Sequence, residues 1–179
     1  MNALRADAAR SRERILEAAR RSDPKDLRLN DVAREAGVGV GTVYRHFATA
    51  HALVEELTVE ALERLDAVAR QASADPSPRQ GFETALRAVV DLHLEAGGLQ
   101  AVLLAAEDAS AEVAALKATV LARLDDVLAR AQASGDVRPD LSTAQVERLV
   151  CGIEHAVRLG PPGDRDVFVD TLVAGLRTR

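Results

Sequence analysis

An all-α protein of about nine helices is what this sequence predicts, on three grounds. Alanine, leucine, arginine and glutamate, the strong helix formers, dominate the 179 residues, while aromatics make up 2%. Apolar residues return every three or four positions rather than alternating, and β-branched runs are absent. The remaining composition, 47% hydrophobic and 28% charged, is that of an ordinary globular chain with room for one or two cores. Cys151 is the lone cysteine, so no intramolecular disulfide can form. Charged residues interrupt each apolar stretch before it reaches the roughly 18 residues that cross a bilayer, and the expectation is a cytoplasmic protein with no membrane partner.

Each helix has its own start and stop signals. Ser11 can cap a first helix with Ile15, Leu16, Ala18 and Ala19 on one face, ended by SDPKD at 22–26. A short second helix spans Leu29 to Ala36 and stops at Gly37, the residue that takes the left-handed conformation without a Cβ clash. A third covers Val40 to Phe47. Thr49 can cap a long fourth helix with Leu53, Leu57, Ala61, Leu65 and Val68 along one stripe. ASADPSPRQG at 72–81 reads as a loop. Beyond it, helices are expected at 82–95, ended by Gly97-Gly98, then at 99–107 and 109–133. SGDVRPD at 134–140 is a turn. Ser142 can cap a helix at 143–159, and GPPGD at 160–164 separates it from a last helix at 165–178.

Charge divides the chain. The net charge is -5, but residues 1–47 carry ten Lys/Arg against seven Asp/Glu, leaving 13 against 21 for residues 48–179. A basic start and an acidic remainder suggest two regions with different electrostatic tasks. The division expected is an N-terminal domain over 1–50 and a second helical domain over 51–179, with the fourth helix bridging them.

LNDVAREAGVGVGTVYRHF, from Leu29 to Phe47, has the spacing of a helix-turn-helix: two short helices joined by a tight turn containing glycine. Ala33 is small where the second helix crosses the first. Val32, Ala36, Val38 and Val43 point into the shared core, as does Phe47. A helix that lies in the major groove needs small residues for close approach and polar ones for contact on its outer face. Gly39, Gly41, Thr42, Tyr44, Arg45 and His46 supply both, with Val40 and Thr49 at the ends of the same segment. A reader of this kind meets few base pairs alone, so a homodimer on a palindromic double-stranded operator is expected.

On these residues the sequence resembles the tetracycline-repressor (TetR) family of one-component regulators. RERILEAA at 12–19 looks like that family's first helix, and DVAREAGVGVGTVYRHF at 31–47 is similar to its recognition segment. The resemblance implies that Thr42 and Arg45 face base edges or nearby phosphates and that Tyr44 and His46 bind backbone phosphates. Three departures stand out. RRSDPKDLR at 20–28 is short and polar where the family has an aromatic-containing stretch. Arg28 stands where a Ser or Thr often caps the second helix, offering a cation to phosphate instead. Ala50 replaces a common lysine.

The same resemblance implies a C-terminal helical domain for effector binding and dimerisation. The expected function is a transcriptional regulator, a repressor released by a small-molecule effector. Candidate pocket residues are Leu65, Phe82, Leu86, His93, Leu104, Leu124 and His155. The candidate dimer interface is the final helix pair, through Val146, Leu149, Val150, Ile153, Val157, Phe168, Thr171, Leu172 and Gly175.

Other chemistry finds little support. His93 and His155 lie near Glu95 and Glu154 but form no two-His helical pair, so no metal is expected. Cys151 reads as a small buried hydrophobe. Glu107 and Asp108 are adjacent and would not face one another on a helix. There is no nucleophile elbow and no phosphate-cradling glycine loop, so neither catalysis nor a cofactor is expected. The alternative from another class is a helical dimeric ligand- or partner-binding protein that has lost DNA binding.

Overall fold

The structure is a computed structural model that describes residues 2–24, 26–161 and 163–178, with side chains from residue 6 onward. Lys25 and Pro162, within two of the expected loops, and the Arg5 side chain counted among the basic residues lie outside the described residues. The described residues form nine α-helices: α1 (Asn2–Arg20), α2 (Leu29–Ala36), α3 (Val40–His46), α4 (Ala50–Ala74), α5 (Pro78–Glu95), α6 (Leu99–Leu103), α7 (Ala111–Ala133), α8 (Thr143–Leu159) and α9 (Asp164–Leu176). One isolated antiparallel bridge joins Val137 to Arg177. No helix among the described residues is long and apolar enough to cross a membrane.

Several boundaries differ from expectation. α1 starts at Asn2, so Ser11 sits inside it; the run of Ala, Leu and Arg before Ser11 is itself helix-forming and needs no cap there. α5 starts at Pro78, because proline is favoured at the first helical position and the Ser77 hydroxyl accepts from the Gln80 N–H at 3.3 Å. α6 stops at Leu103. The following residues serve the connection instead: Ala109 N–H donates to Glu55 Oε1 at 2.6 Å. Ser110 Oγ then accepts from Val113 N–H at 3.1 Å, starting α7 at Ala111.

The chain divides into two compact units, 1–59 with 97–113 and 60–96 with 114–179. The division expected at residue 50 therefore falls inside α4, and a segment from the middle of the chain joins the N-terminal unit. That segment is tied down at Gly98, whose φ of 98° suits glycine and whose missing Cβ leaves room for Pro24 and Val54.

In the N-terminal unit α1, α2 and α3 pack on one another. Ile15 and Val43 are fully buried, and Ala33 and Val32 almost so, at the helix crossings. Leu27 is buried within the short polar connection between α1 and α2. In the second unit α5, α8 and α9 pack pairwise. Leu62, Leu65, Val90 and Val169 are inaccessible there, each such residue contributing roughly 1.5–3 kcal/mol through burial.

Candidate nucleic-acid interface and regulatory unit

The turn between α2 and α3 follows from Gly37. Its φ of 62° and ψ of 37° are left-handed. Val38 N–H returns to Ala33 O at 3.0 Å and Gly37 N–H to Arg34 O at 3.2 Å, closing a Schellman turn that satisfies the last carbonyls of α2. Arg14 of α1 donates from Nη2 to Gly37 O at 3.1 Å, tying the turn to the first helix. A Cβ at Gly37 would lie 2.8 Å from that same nitrogen.

This turn sets the faces of α3. Val43 points inward and is fully buried; Phe47, just after the helix, is 5% exposed, with the Arg12 guanidinium 5.6 Å from its ring centroid. Outward, Tyr44 is 51% and Val40 44% exposed, a large apolar display on a seven-residue helix. Gly39, Gly41 and Arg45 share this exposure, while Thr42 and His46 are half-buried. Arg45 Nη2 donates to Thr42 Oγ1 at 2.9 Å, one turn back along α3. Arg28 and Thr49 are exposed at the flanks. Arg28 makes no side-chain cap for α2, and Thr49 Oγ1 accepts from Ala52 N–H at 3.0 Å at the start of α4.

In the second unit, Phe82, Leu86 and Leu124 line a cavity of about 40 Å³ together with Val146, Val150 and Glu147. Leu65 is buried, His93 is buried 3.1 Å from the cavity's Glu147, and His155 is exposed. Leu104 is 47% exposed and belongs to the N-terminal unit. Those four are not among the residues lining this cavity.

The residues proposed for dimer contact also divide. Val146, Val150 and Leu172 are buried within the protomer, because α5 covers that side of α8 and α9. Leu149, Thr171 and Gly175 are exposed, and Ile153, Val157 and Phe168 are half-buried. Leu159 at 77% and Val167 at 62% extend the same apolar display.

Residues 15–57 match the model of bacterial regulatory proteins of the tetR family, and residues 77–178, more than half the chain, match the C-terminal domain of SbtR-like transcriptional regulators. The chain belongs to the TetR family. It is similar to the HTH-type transcriptional regulator UidR of Escherichia coli K12, 25% identical over 171 residues that cover 88% of this chain and 84% of UidR. The TetR transcriptional regulator SCO0520 from Streptomyces coelicolor shares 28% identity over 93% of this chain and 98% of its own, with a TM-score of 0.52. The regulator PfmR from Thermus thermophilus, at 21% identity, has the same fold, with a TM-score of 0.61 over 94% and 98% of the two chains. This TetR-family member is thus a transcriptional regulator with a DNA-binding helix-turn-helix and a C-terminal effector-binding domain.

Two features of the TetR-family chain escaped the sequence reading. The role of Arg14 depends on α1 lying beside a turn 23 positions away. The partners of His93 are not its neighbour Glu95, which pairs with Arg64 at 2.8 Å, but Glu147 and Glu154 of α8. The signal was the spacing of Glu147, Cys151 and Glu154, which share one face of a helix. Burial, then the charges of Glu147 and Glu154, push the Cys151 thiol up to about 12, so on its own it is a poor nucleophile.

Proposed function

We propose that this regulator is a repressor that acts in the cytoplasm as a homodimer on a palindromic operator and is released by a small-molecule effector. The observation that carries the reading is the outward face of α3, where Tyr44 and Arg45 stand exposed beside Gly39 and Gly41. Arg45 and Thr42 would meet base edges, and Tyr44 and His46 backbone phosphates. Gly39, Val40 and Gly41 allow close approach, and Arg28 and Thr49 lie at the flanks. The Arg45–Thr42 hydrogen bond favours one orientation of the guanidinium fork before DNA arrives, which lowers the ordering cost. Leu149, Ile153, Val157, Phe168, Thr171 and Gly175 form the proposed dimer face.

The effector site is the cavity lined by Phe82, Leu86 and Leu124. Its volume of about 40 Å³ is far below the roughly 300–1,000 Å³ of drug-sized ligand sites, so an effector has to part the helices around it. An effector that binds the parted state better than the closed one biases the protein toward it, and release follows if that state fits DNA less well.

Operator fragments carrying one half-site or two, compared with sedimentation of the protein alone, test this reading. A dimer that binds the two-site fragment at least about tenfold more tightly supports it. A monomer with equal affinity for both fragments contradicts it.

A further inference from the structure

The polar cluster buried in the second unit has no role in the reading above. His93 of α5 is fully buried, with Nε2 3.1 Å from Glu147 Oε1 and Nδ1 3.7 Å from Glu154 Oε2. Cys151 Sγ lies 4.0 Å from the same Glu147 oxygen. All three α8 side chains are more than nine-tenths buried. Despite these distances, both ring nitrogens of His93 and Glu154 Oε2 lack a hydrogen bond of acceptable geometry. Orphaned polar atoms at this depth are costly, and a buried ring nitrogen that meets a carboxylate and a thiol without a hydrogen bond of its own is the pattern of an ion site.

We propose that His93 Nε2, Glu147 and Cys151 form a site for a borderline-soft divalent transition-metal ion of the zinc type. Distance supports this. Donors about 2.0–2.3 Å from a tetrahedral centre stand about 3.4–3.6 Å from one another. The separations of 3.1 Å and 4.0 Å bracket that spacing, and the three donor atoms lie within 4.8 Å of one another. The nitrogen, oxygen and sulfur set suits zinc or cobalt better than the hard cations, which take oxygen alone.

Charge and orientation agree as well. Glu147 and a Cys151 thiolate balance a divalent ion, the thiol proton passing to solvent as the metal–sulfur bond forms. Glu154 is balanced separately by Arg158, whose Nε donates to Glu154 Oε1 at 2.9 Å. The other oxygen of Glu154 lies 3.7 Å from Nδ1, near enough to become the acceptor for the ring proton once Nε2 binds metal, the usual arrangement of a metal-bound histidine. Glu147 also lines the cavity.

A second cluster, His51, Glu55 and Asp108, has similar spacing, but its donors are already engaged. Glu55 accepts from Ala109 N–H, and the His51 ring lies 3.2 Å from Glu107 O.

The test titrates the full-length protein, freed of metal with a chelator, with cobalt(II) and then with zinc(II) in competition with a coloured chelator. The expected result is one ion per chain and a thiolate-to-cobalt charge-transfer band in the near ultraviolet, which zinc abolishes. Cys151→Ser, nearly isosteric, is expected to lose the band, and Glu147→Gln to weaken zinc more than about 100-fold, since even outer-shell partners cost about 10–100-fold. Glu154→Gln keeps the band and weakens binding by about that smaller amount. Circular dichroism confirms that each variant is folded. Absence of the band, or zinc affinity unchanged in both Cys151→Ser and Glu147→Gln, overturns the proposal. The titration contains no DNA, so its outcome is separate from that of the repressor reading.

Discussion

The helices of the helix-turn-helix and the second unit's α5 and α8 begin by different means. In the N-terminal unit, α2 and α3 start at Arg28 and Gly39 with no side-chain cap, and α2 ends on the left-handed Gly37. In the second unit, Ser77 caps α5 through its hydroxyl, and Gln145 Oε1 accepts from Ser142 N–H at 2.8 Å where α8 begins. A missing cap forgoes about 1 kcal/mol. The unit that meets DNA therefore gives up local helix stability at its outward face and relies on its small core. The second unit anchors α5 and α8 with side-chain caps, and its buried polar atoms without a hydrogen bond lie at His93 and Glu154 and at the Asp66–Arg123 ion pair.

The largest effect expected from this contrast lies in the small core. Phe47→Ala removes a buried ring and the Arg12 contact, and should cost about 3–5 kcal/mol. Hydrogen exchange should show the loss concentrated in α1–α3, with α5, α8 and α9 little changed. Equal loss of protection in both units would mean that they unfold together. Gly37→Ala comes next, at about 1–2 kcal/mol, because alanine resists φ of 62° and its Cβ would displace Arg14. Urea melts of this variant measure the cost directly.

The caps give smaller effects of opposite sign. Ser77→Ala should lower stability by about 1 kcal/mol, whereas Arg28→Ser should raise it by about 0.5–1 kcal/mol while weakening operator binding. A rise in both stability and operator affinity for Arg28→Ser would refute the trade described above.

The smallest effect is set by pH. Burial raises the Glu83 carboxyl, but hydrogen bonds from Arg79 and Arg177 and their charges outweigh it and hold the group below the usual carboxylate range. A depressed native value stabilises the fold above the unfolded value near 4.5 and loses that effect as pH falls through the native one. Glu83→Gln should therefore cost less than about 1 kcal/mol at neutral pH and nothing in strong acid, as melting curves across pH would show.

The N-terminal unit was largely legible because its constraints are local. Gly37, Val43 and Tyr44 are fixed by a turn of a few residues, and spacing alone separates their faces. The second unit was legible as helices but not as a site. Val146, Val150 and Leu172 read as an interface stripe because an apolar face looks the same whether its own protomer or a second copy covers it. Leu104 and His155 were named for position along the chain and side-chain type, and the path of the chain turns both toward solvent. The grouping of His93 with Cys151 depends on how α5 meets α8, which periodicity does not encode.

The central claim is that the outward face of α3 reads DNA. Fluorescence anisotropy of labelled DNA from the gene's own upstream region, measured across a salt series with wild type, Tyr44→Ala and Arg45→Ala, tests it most directly. The account predicts tight binding that weakens with salt, and a loss of about 10–100-fold in either variant with melting temperature unchanged. Arg45→Ala should also relax discrimination among operator variants, whereas Tyr44→Ala should weaken all of them alike. Specific binding to that DNA that neither substitution alters would contradict the claim.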